Sequence, residues 1–287
     1  MTARAAAPRY RLLALDIDGT LLRSDKTISP RTLAAIEAAR GRGVRVVLVT
    51  GRRHPAARRI AEQLGSDLDL VLHNGALIIE NGEVLRCLPL ARELALRAVA
   101  VGRALAADPV LHCGQRGEGR LMVEGIAPSN TLLVYYLDRS HPDVSSVPVL
   151  DDALHEDPIQ VMFGGVIEAM ARLRARLDEE LGRQVRIDRT IYPASGVQIL
   201  DVLRAGVGKA EALAFLQRRW DVAADETLAI GDNWNDHEML EAAGLGLVMG
   251  NADPEMLRLG LTVLPTNDED GVAVAIEREI LAGGAGS

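Results

Sequence analysis

The strongest constraint on the fold is a series of short apolar runs that each stop abruptly at polar residues. Arg11 to Leu15 is apolar almost without alternation and stops at Asp16. Val44 to Val49 stops at Thr50-Gly51, and Leu68 to Leu72 stops at His73-Asn74-Gly75. Runs this short with no polar face suit strands buried on both sides of a parallel sheet. Helical stretches separate them. Ser29-Pro30 supplies an N-cap and a first helical residue, Gly43 closes that helix, and a second helix is expected from about Pro55 to Leu64. This alternation predicts an α/β fold with a doubly wound, mostly parallel sheet, whose ligands sit at the carboxyl ends of the strands. The polar residues fall at those ends.

After Gly75 the pattern changes. Ala76 to Glu80, Asn81-Gly82 and Glu83 to Leu88 read as a hairpin with a type I′ turn. Between about Leu90 and Tyr192, helices are expected over Ala91 to Ala107 and Val166 to Leu181, among short strands punctuated by Pro142, Pro148 and Pro158. This is read as an inserted second domain. From Gly196 the βα pattern returns, with a strand from Val197 to Val202, a helix from Lys209 to Trp220, a strand from Thr227 to Ile230 and a helix from Asp236 to Ala243. Strands near Gly246 to Met249 and Leu261 to Leu264, a short helix near Pro254 to Leu259 and a terminal helix from about Asp270 to Leu281 complete it. The expected division is a core over 1–81 and 193–287 with an α/β insert over 82–192.

Composition narrows the classes of function. Of 287 residues 48% are hydrophobic and 25% charged, enough for a real core. The net charge is −8 with no basic stripe, so a nucleic-acid partner is not expected. Cys87 and Cys113 form neither a metal knuckle nor a disulfide framework, which suits a reduced, cytoplasmic setting. The N-terminal MTARAAAPRYR is followed by only LLAL, short of an export signal, and no apolar stretch reaches the roughly 18 residues a membrane span needs. Loose ends are expected before Arg9 and over GGAGS. His54, His73, His112, His141, His155 and His237 show no close ligand pair, so a zinc site is not expected.

Asp16-Ile17-Asp18-Gly19-Thr20-Leu21-Leu22 places two carboxylates two residues apart just beyond a buried strand, facing the same way if the chain is extended. Alone, such a pair is usually a loop or cap feature. Three other polar groups stand at the ends of neighbouring expected elements: Thr50-Gly51-Arg52, Lys209, and Gly231-Asp232-Asn233-Trp234-Asn235-Asp236. In this order, DIDGTLL, VTGR, Lys209 and GDNWND resemble the four motifs of the haloacid dehalogenase superfamily. The large insert after Asn74-Gly75 resembles the Cof-type class IIB branch. The resemblance covers nearly the whole chain and implies a Rossmann-like core, an α/β cap and a phospho-aspartate mechanism.

By that resemblance Asp16 is the nucleophile and Asp18 the general acid and base. Thr50, Gly51, Arg52, Asn74, Lys209 and Asn235 are expected around the phosphoryl group. Mg2+ is the expected cofactor, on Asp16, the Asp18 carbonyl, Asp232 and the Asp236 loop. The chemistry agrees: carboxylate and phosphate monoester repel, so attack needs a cation, and magnesium favours oxygen ligands. A fixed ammonium and hydroxyl stabilise charge on the phosphoryl oxygens. The expected substrate is a small phosphorylated metabolite. A phosphomutase uses the same aspartyl phosphate, and a non-catalytic regulator is disfavoured by the complete set of acids. His112, Arg116 and Arg120 of the insert are candidate substrate contacts. Ala210 after Lys209 and Asn233-Trp234 in the acidic loop depart from the common pattern, and Trp234 is expected to plug that loop.

Overall fold

The computed structural model describes residues 8–65 and 68–282; residues 1–7 of the expected N-terminal arm and the GGAGS tail lie outside the described residues. The chain opens with β1 (Leu12–Leu15), α1 (Pro30–Gly41), β2 (Arg45–Val49), α2 (His54–Leu64), β3 (Asp69–Leu72), β4 (Leu77–Glu80) and β5 (Glu83–Cys87). It continues through α3 (Arg92–Ala104), β6 (Val110–Cys113), β7 (Arg120–Val123), α4 (Thr131–Asp138), β8 (Val144–Ser146), α5 (Leu150–Ala153), β9 (Gln160–Val166), α6 (Ile167–Leu181), β10 (Val185–Tyr192) and β11 (Val197–Arg204). It closes with α7 (Lys209–Trp220), β12 (Thr227–Gly231), α8 (His237–Ala242), β13 (Leu245–Val248), β14 (Thr262–Val263) and α9 (Gly271–Ile276).

An eight-stranded sheet runs in the order β14-β13-β12-β1-β2-β3-β4-β5, parallel from β14 to β3 and antiparallel thereafter. β1 lies inside it. Leu13 and Leu15 pack with Ile36 of α1, Ile60 of α2 and Ile276 of α9, whereas Leu12 and Ala14 pack with Leu213 of α7 and Met239 of α8. Helices therefore cover both faces. That double cover is why β1 carries no polar alternation. Ser29 Oγ accepts from the Thr32 amide at 3.0 Å and Pro30 opens α1, as the sequence predicts. Asn81 and Gly82 have φ of 52° and 80°, the pair of positive values that a type I′ turn requires.

The second sheet has six strands in the order β10-β11-β9-β6-β7-β8. Its Leu111, Val161, Phe163 and Leu200 pack on Val99 of α3 and on Leu173 and Leu177 of α6. Two strands fall differently from expectation. β5 is the edge of the eight-stranded sheet, and β11 does not resume the core. β11 pairs antiparallel with β10 from Val185↔Arg204 to Tyr192↔Val197, and with β9 on its other side. The connection from Tyr192 to Val197 is a short turn with Gly196 at φ +64°, too brief for a parallel crossover. An apolar period marks a strand but does not say which neighbour it pairs with. The core sheet resumes only at β12, after α7.

Candidate active site

Parallel pairing sets Leu15 of β1 beside Ile230 of β12, so the chain leaves both strands at the same edge. Asp16 follows β1, Thr50 follows β2, His73-Asn74 follows β3 and Asp232 follows β12. Carboxylate oxygens of Asp16, Asp232 and Asp236 lie within 4.8 Å of one another, all three residues buried. Lys209, the first residue of α7, is 1% exposed and donates to Asp16 Oδ1 and Asp236 Oδ1, each at 2.6 Å. The other Asp236 oxygen accepts from the amides of Asp232 and Asn233 at 3.2 and 3.1 Å, which shapes the loop. Thr20 Oγ1 donates to Asp232 Oδ1 at 2.8 Å. Gly19 has φ +79°, and a Cβ there would stand 2.2 Å from Asp232 Oδ2, so this position needs glycine for both reasons.

Three carboxylates around one ammonium set the electrostatics. Burial, with repulsion from Asp236, pushes the Asp16 carboxyl up to about 7, partly offset by Lys209. Burial and the same crowding, led by Asp16, raise Asp232 well above the carboxylate range. Burial pulls Lys209 down, but Asp16 and Asp236 outweigh it and hold the ammonium charged. A hard divalent cation would relieve this excess of negative charge. Asp16 Oδ2 and Asp232 Oδ2 receive no hydrogen bond among the described residues, so the donor set fits such an ion.

Asp18 stands apart from this cluster. Arg52 grips it in a bidentate pair, Nε to Oδ2 at 2.6 Å and a terminal nitrogen to Oδ1 at 2.7 Å. Burial pushes Asp18 up, yet Arg52, with Lys26 and Lys209, outweighs it and holds the carboxyl below its ordinary value. Its side chain is 32% exposed, so the charge is partly screened by solvent. Asp16 and Asp18 open into one cavity of about 450 Å³, with Thr50, Gly51, Arg52 and Asn235 on its wall.

Asn74 and Lys209 lie behind that wall. Asn74 is fully buried at φ +51°; its amide donates to Asp201 Oδ2 at 3.0 Å and accepts from Asn235 at 2.9 Å. Asn74 thus braces Asn235. Gln160 donates to the other Asp201 oxygen at 2.7 Å. Burial, with repulsion from Asp188, pushes Asp201 up to about 7. Asp201, Gln160 and Thr20 were not among the expected site residues. A lone acid inside the apolar run of β11 was the available signal for Asp201.

Of the candidate contacts in the insert, His112 lines the cavity. Arg116 sits in a separate open recess with His54 and Arg58, and Arg120 pairs in solvent with Glu156 at 2.7 Å. Asn233 pairs both side-chain atoms with the backbone of Ile191, at 3.0 and 2.9 Å, tying the acidic loop to β10. Trp234 packs with the α7 and α8 layer, and the Arg189 guanidinium lies 4.2 Å from its ring centre. That is the plug the sequence suggests.

The chain and its fold have counterparts among known proteins. The chain is 31% identical over 254 residues to the HMP-PP phosphatase of Serratia proteamaculans, covering 87% of each chain. It is 28% identical over 273 residues to the 5-amino-6-(5-phospho-D-ribitylamino)uracil phosphatase YitU of Bacillus subtilis, covering 91% of this chain and 94% of that one. A solved haloacid dehalogenase-like hydrolase from Bacteroides thetaiotaomicron superposes with a TM-score of 0.78 at 26% identity, covering 94% of this chain and 99% of the other. The family model for haloacid dehalogenase-like hydrolases matches residues 13–276, from within β1 to the end of α9. With Asp16, Thr50, Asn74 and Asp232 all inside that span, the chain belongs to the haloacid dehalogenase-like hydrolase family.

Proposed function

We propose that this protein is a phosphatase that hydrolyses a small phosphate monoester through a phosphoryl group carried on Asp16. One observation carries the reading: Asp16 faces a cavity large enough for a metabolite while its other side meets Lys209, Asp232 and Asp236. The named activities of the Serratia and Bacillus relatives support the same substrate class. One carboxylate oxygen of Asp16 attacks phosphorus, the ester oxygen departs with a proton from Asp18, and Asp18 then takes a proton from the water that cleaves the acyl phosphate. Thr50, Arg52 and Asn235 face the phosphoryl oxygens, and Lys209 fixes the attacking carboxylate. Asp16 and Asp232 would hold Mg2+, which supplies charge neutralisation between the carboxylate and the phosphate. Asp236 keeps Lys209 and the loop amides in place.

Arg52 links binding to proton transfer. A phosphate dianion in the cavity competes with Asp18 for that guanidinium, and Asp18 released from it regains the basicity that an acid needs. The elements from α3 to β11 act as a cap that walls the cavity and selects the leaving group. The free thiols of Cys87 and Cys113, which burial pushes up to about 11, suit a reducing, cytoplasmic setting. Among the described residues no helix is long and apolar enough to cross a membrane. Asp16→Asn tests the assignment: turnover of para-nitrophenyl phosphate with Mg2+ falls at least a hundred-fold on the scale of a lost covalent step, roughly 10² or more, while the thermal transition persists. A rate within ten-fold of the parent refutes it.

A further inference from the structure

The polar relay behind the cavity wall crosses from one sheet to the other, and its hydrogen bonds can run in only one sense. Asn74 and Asn235 stand in loops at the edge of the eight-stranded sheet, whereas Gln160 of β9 and Asp201 of β11 belong to the six-stranded sheet. All four are buried, so a partner lost here is not readily replaced by bulk water. Asp201 is the acceptor in the middle. Its Oδ1 takes an N–H of Gln160 at 2.7 Å and its Oδ2 an N–H of Asn74 at 3.0 Å. A carboxylate only accepts, so both amides must turn their nitrogens towards it. Asn74 then has only its carbonyl oxygen left for Asn235, whose nitrogen donates to it at 2.9 Å. At the other end the Gln160 oxygen is left for His73 Nδ1, at 3.3 Å. The acid thus dictates which end of the Asn235 amide is turned to Asn74, and Asn235 lines the cavity.

We propose that Asp201 is a positioning residue for phosphoryl transfer, which sets the sense of this relay and thereby holds the Asn235 amide in the orientation that meets the phosphoryl group. The inference rests on the phosphatase reading and goes beyond it by giving the six-stranded sheet a part in the chemistry common to all substrates. Asp201 also borders the cavity, so direct contact with the leaving group is the competing role, and that role would change selectivity between esters. In Asp201→Asn the new amide must turn its nitrogen to Asn74 or to Gln160. Facing Asn74, it either opposes two donors or turns Asn74 round, and the reversal passes on to Asn235. In Asn74→Asp/Asp201→Asn the acceptor moves one place along the relay and every link survives. The side chain at 74 accepts from Asn235 and from the amide at 201, whose oxygen still accepts from Gln160.

The test measures kcat/KM with Mg2+ on para-nitrophenyl phosphate and on the bulkier 2-naphthyl phosphate. The assay runs at about pH 8, above the value to which burial and Asp188 push Asp201. Asp201→Asn lowers kcat/KM on both esters by the same factor, roughly ten- to a hundred-fold, somewhat less than deleting a donor to the phosphoryl oxygens costs. In an Asn235→Ala background the same substitution costs less than about two-fold, because the group it positions is gone. Asn74→Asp alone is impaired, since two buried carboxylates then face each other, and adding Asp201→Asn to it raises kcat/KM by roughly ten-fold or more. Thermal unfolding establishes that each variant is folded at the assay temperature. Should Asp201→Asn alone not fold, the comparison of Asn74→Asp with Asn74→Asp/Asp201→Asn decides. No loss in Asp201→Asn, an equal loss with and without Asn235, unequal losses on the two esters, or a double variant no better than Asn74→Asp each overturn the proposal. A parent inactive on both esters refutes the phosphatase reading and the relay with it, whereas an active parent with any of those results refutes the relay alone.

Discussion

Replacing Asp232 by asparagine should stabilise the metal-free protein and at the same time remove most of its stabilisation by Mg2+. The three carboxylates lie within 4.8 Å of one another, and two unit charges at that separation repel by about 3.5 kcal/mol at an effective dielectric near 20. Asp232 meets two such neighbours and gains one attraction from Lys209, so neutralising it relieves on the order of 3 kcal/mol at most. Proton uptake at neutral pH already relieves part of this. Asparagine keeps an acceptor for the Thr20 hydroxyl, so that hydrogen bond survives. At roughly 2–4 °C per kcal/mol for a chain of this size, the unfolding midpoint in EDTA should rise by several degrees. The parent, at Mg2+ about 100 times its dissociation constant, gains about 2.7 kcal/mol, and the variant gains much less. Differential scanning fluorimetry in EDTA and across a Mg2+ titration reads both effects. An Asp232→Asn midpoint in EDTA below the parent's, or an equal Mg2+ shift in the two proteins, refutes the argument that this cluster is a strained cation site.

Asp18→Ala should slow both chemical steps, by about 10²- to 10⁴-fold for an alkyl phosphate, the usual worth of general acid and base assistance. A nitrophenolate departs without a proton, so with para-nitrophenyl phosphate the first step survives better and hydroxylamine-labile phosphoenzyme accumulates in rapid-quench samples; equal, mild losses on both substrates without trapped label would assign Asp18 no proton-transfer role. His73 gives a pH dependence of known sign. Burial holds it down to about 4, whereas the unfolded chain takes up the proton near 6.5, so its contribution to stability is complete above that value and is lost as pH falls towards 4. The full loss is about 3 kcal/mol, read as the pH-dependent difference in unfolding free energy between the parent and His73→Gln; a difference that stays flat from pH 7 to 4.5 contradicts it.

The order of β and α elements outside the insert, the strands that end at Asp16, Thr50 and Asn74, and the acids of GDNWND were all legible in the residues. Each is a local matter. A strand buried on both faces is apolar throughout, a Ser-Pro pair is a strong helix-start signal, and a group of acids at strand ends suits a hard cation. Asp18 was equally plain from its place two residues after Asp16, although the chain turns from Ile17 rather than staying extended, and both residues still line the cavity.

What the sequence left open depends on contacts between distant segments. The apolar period of β11 is the same whether it pairs in the core or with β10, and only the antiparallel register from Val185↔Arg204 decides. The Asn235-Asn74-Asp201-Gln160 chain joins four separate strand or loop positions, up to 161 residues apart along the chain. His112 was one of six scattered histidines until the fold buried it against the cavity, while Arg116 and Arg120, equally plausible in sequence, were turned towards solvent. Chemistry-bearing residue types follow from the reaction and were visible in the sequence. The shape and polarity of the space opposite them follow from packing between two sheets, and only the tertiary structure determined those.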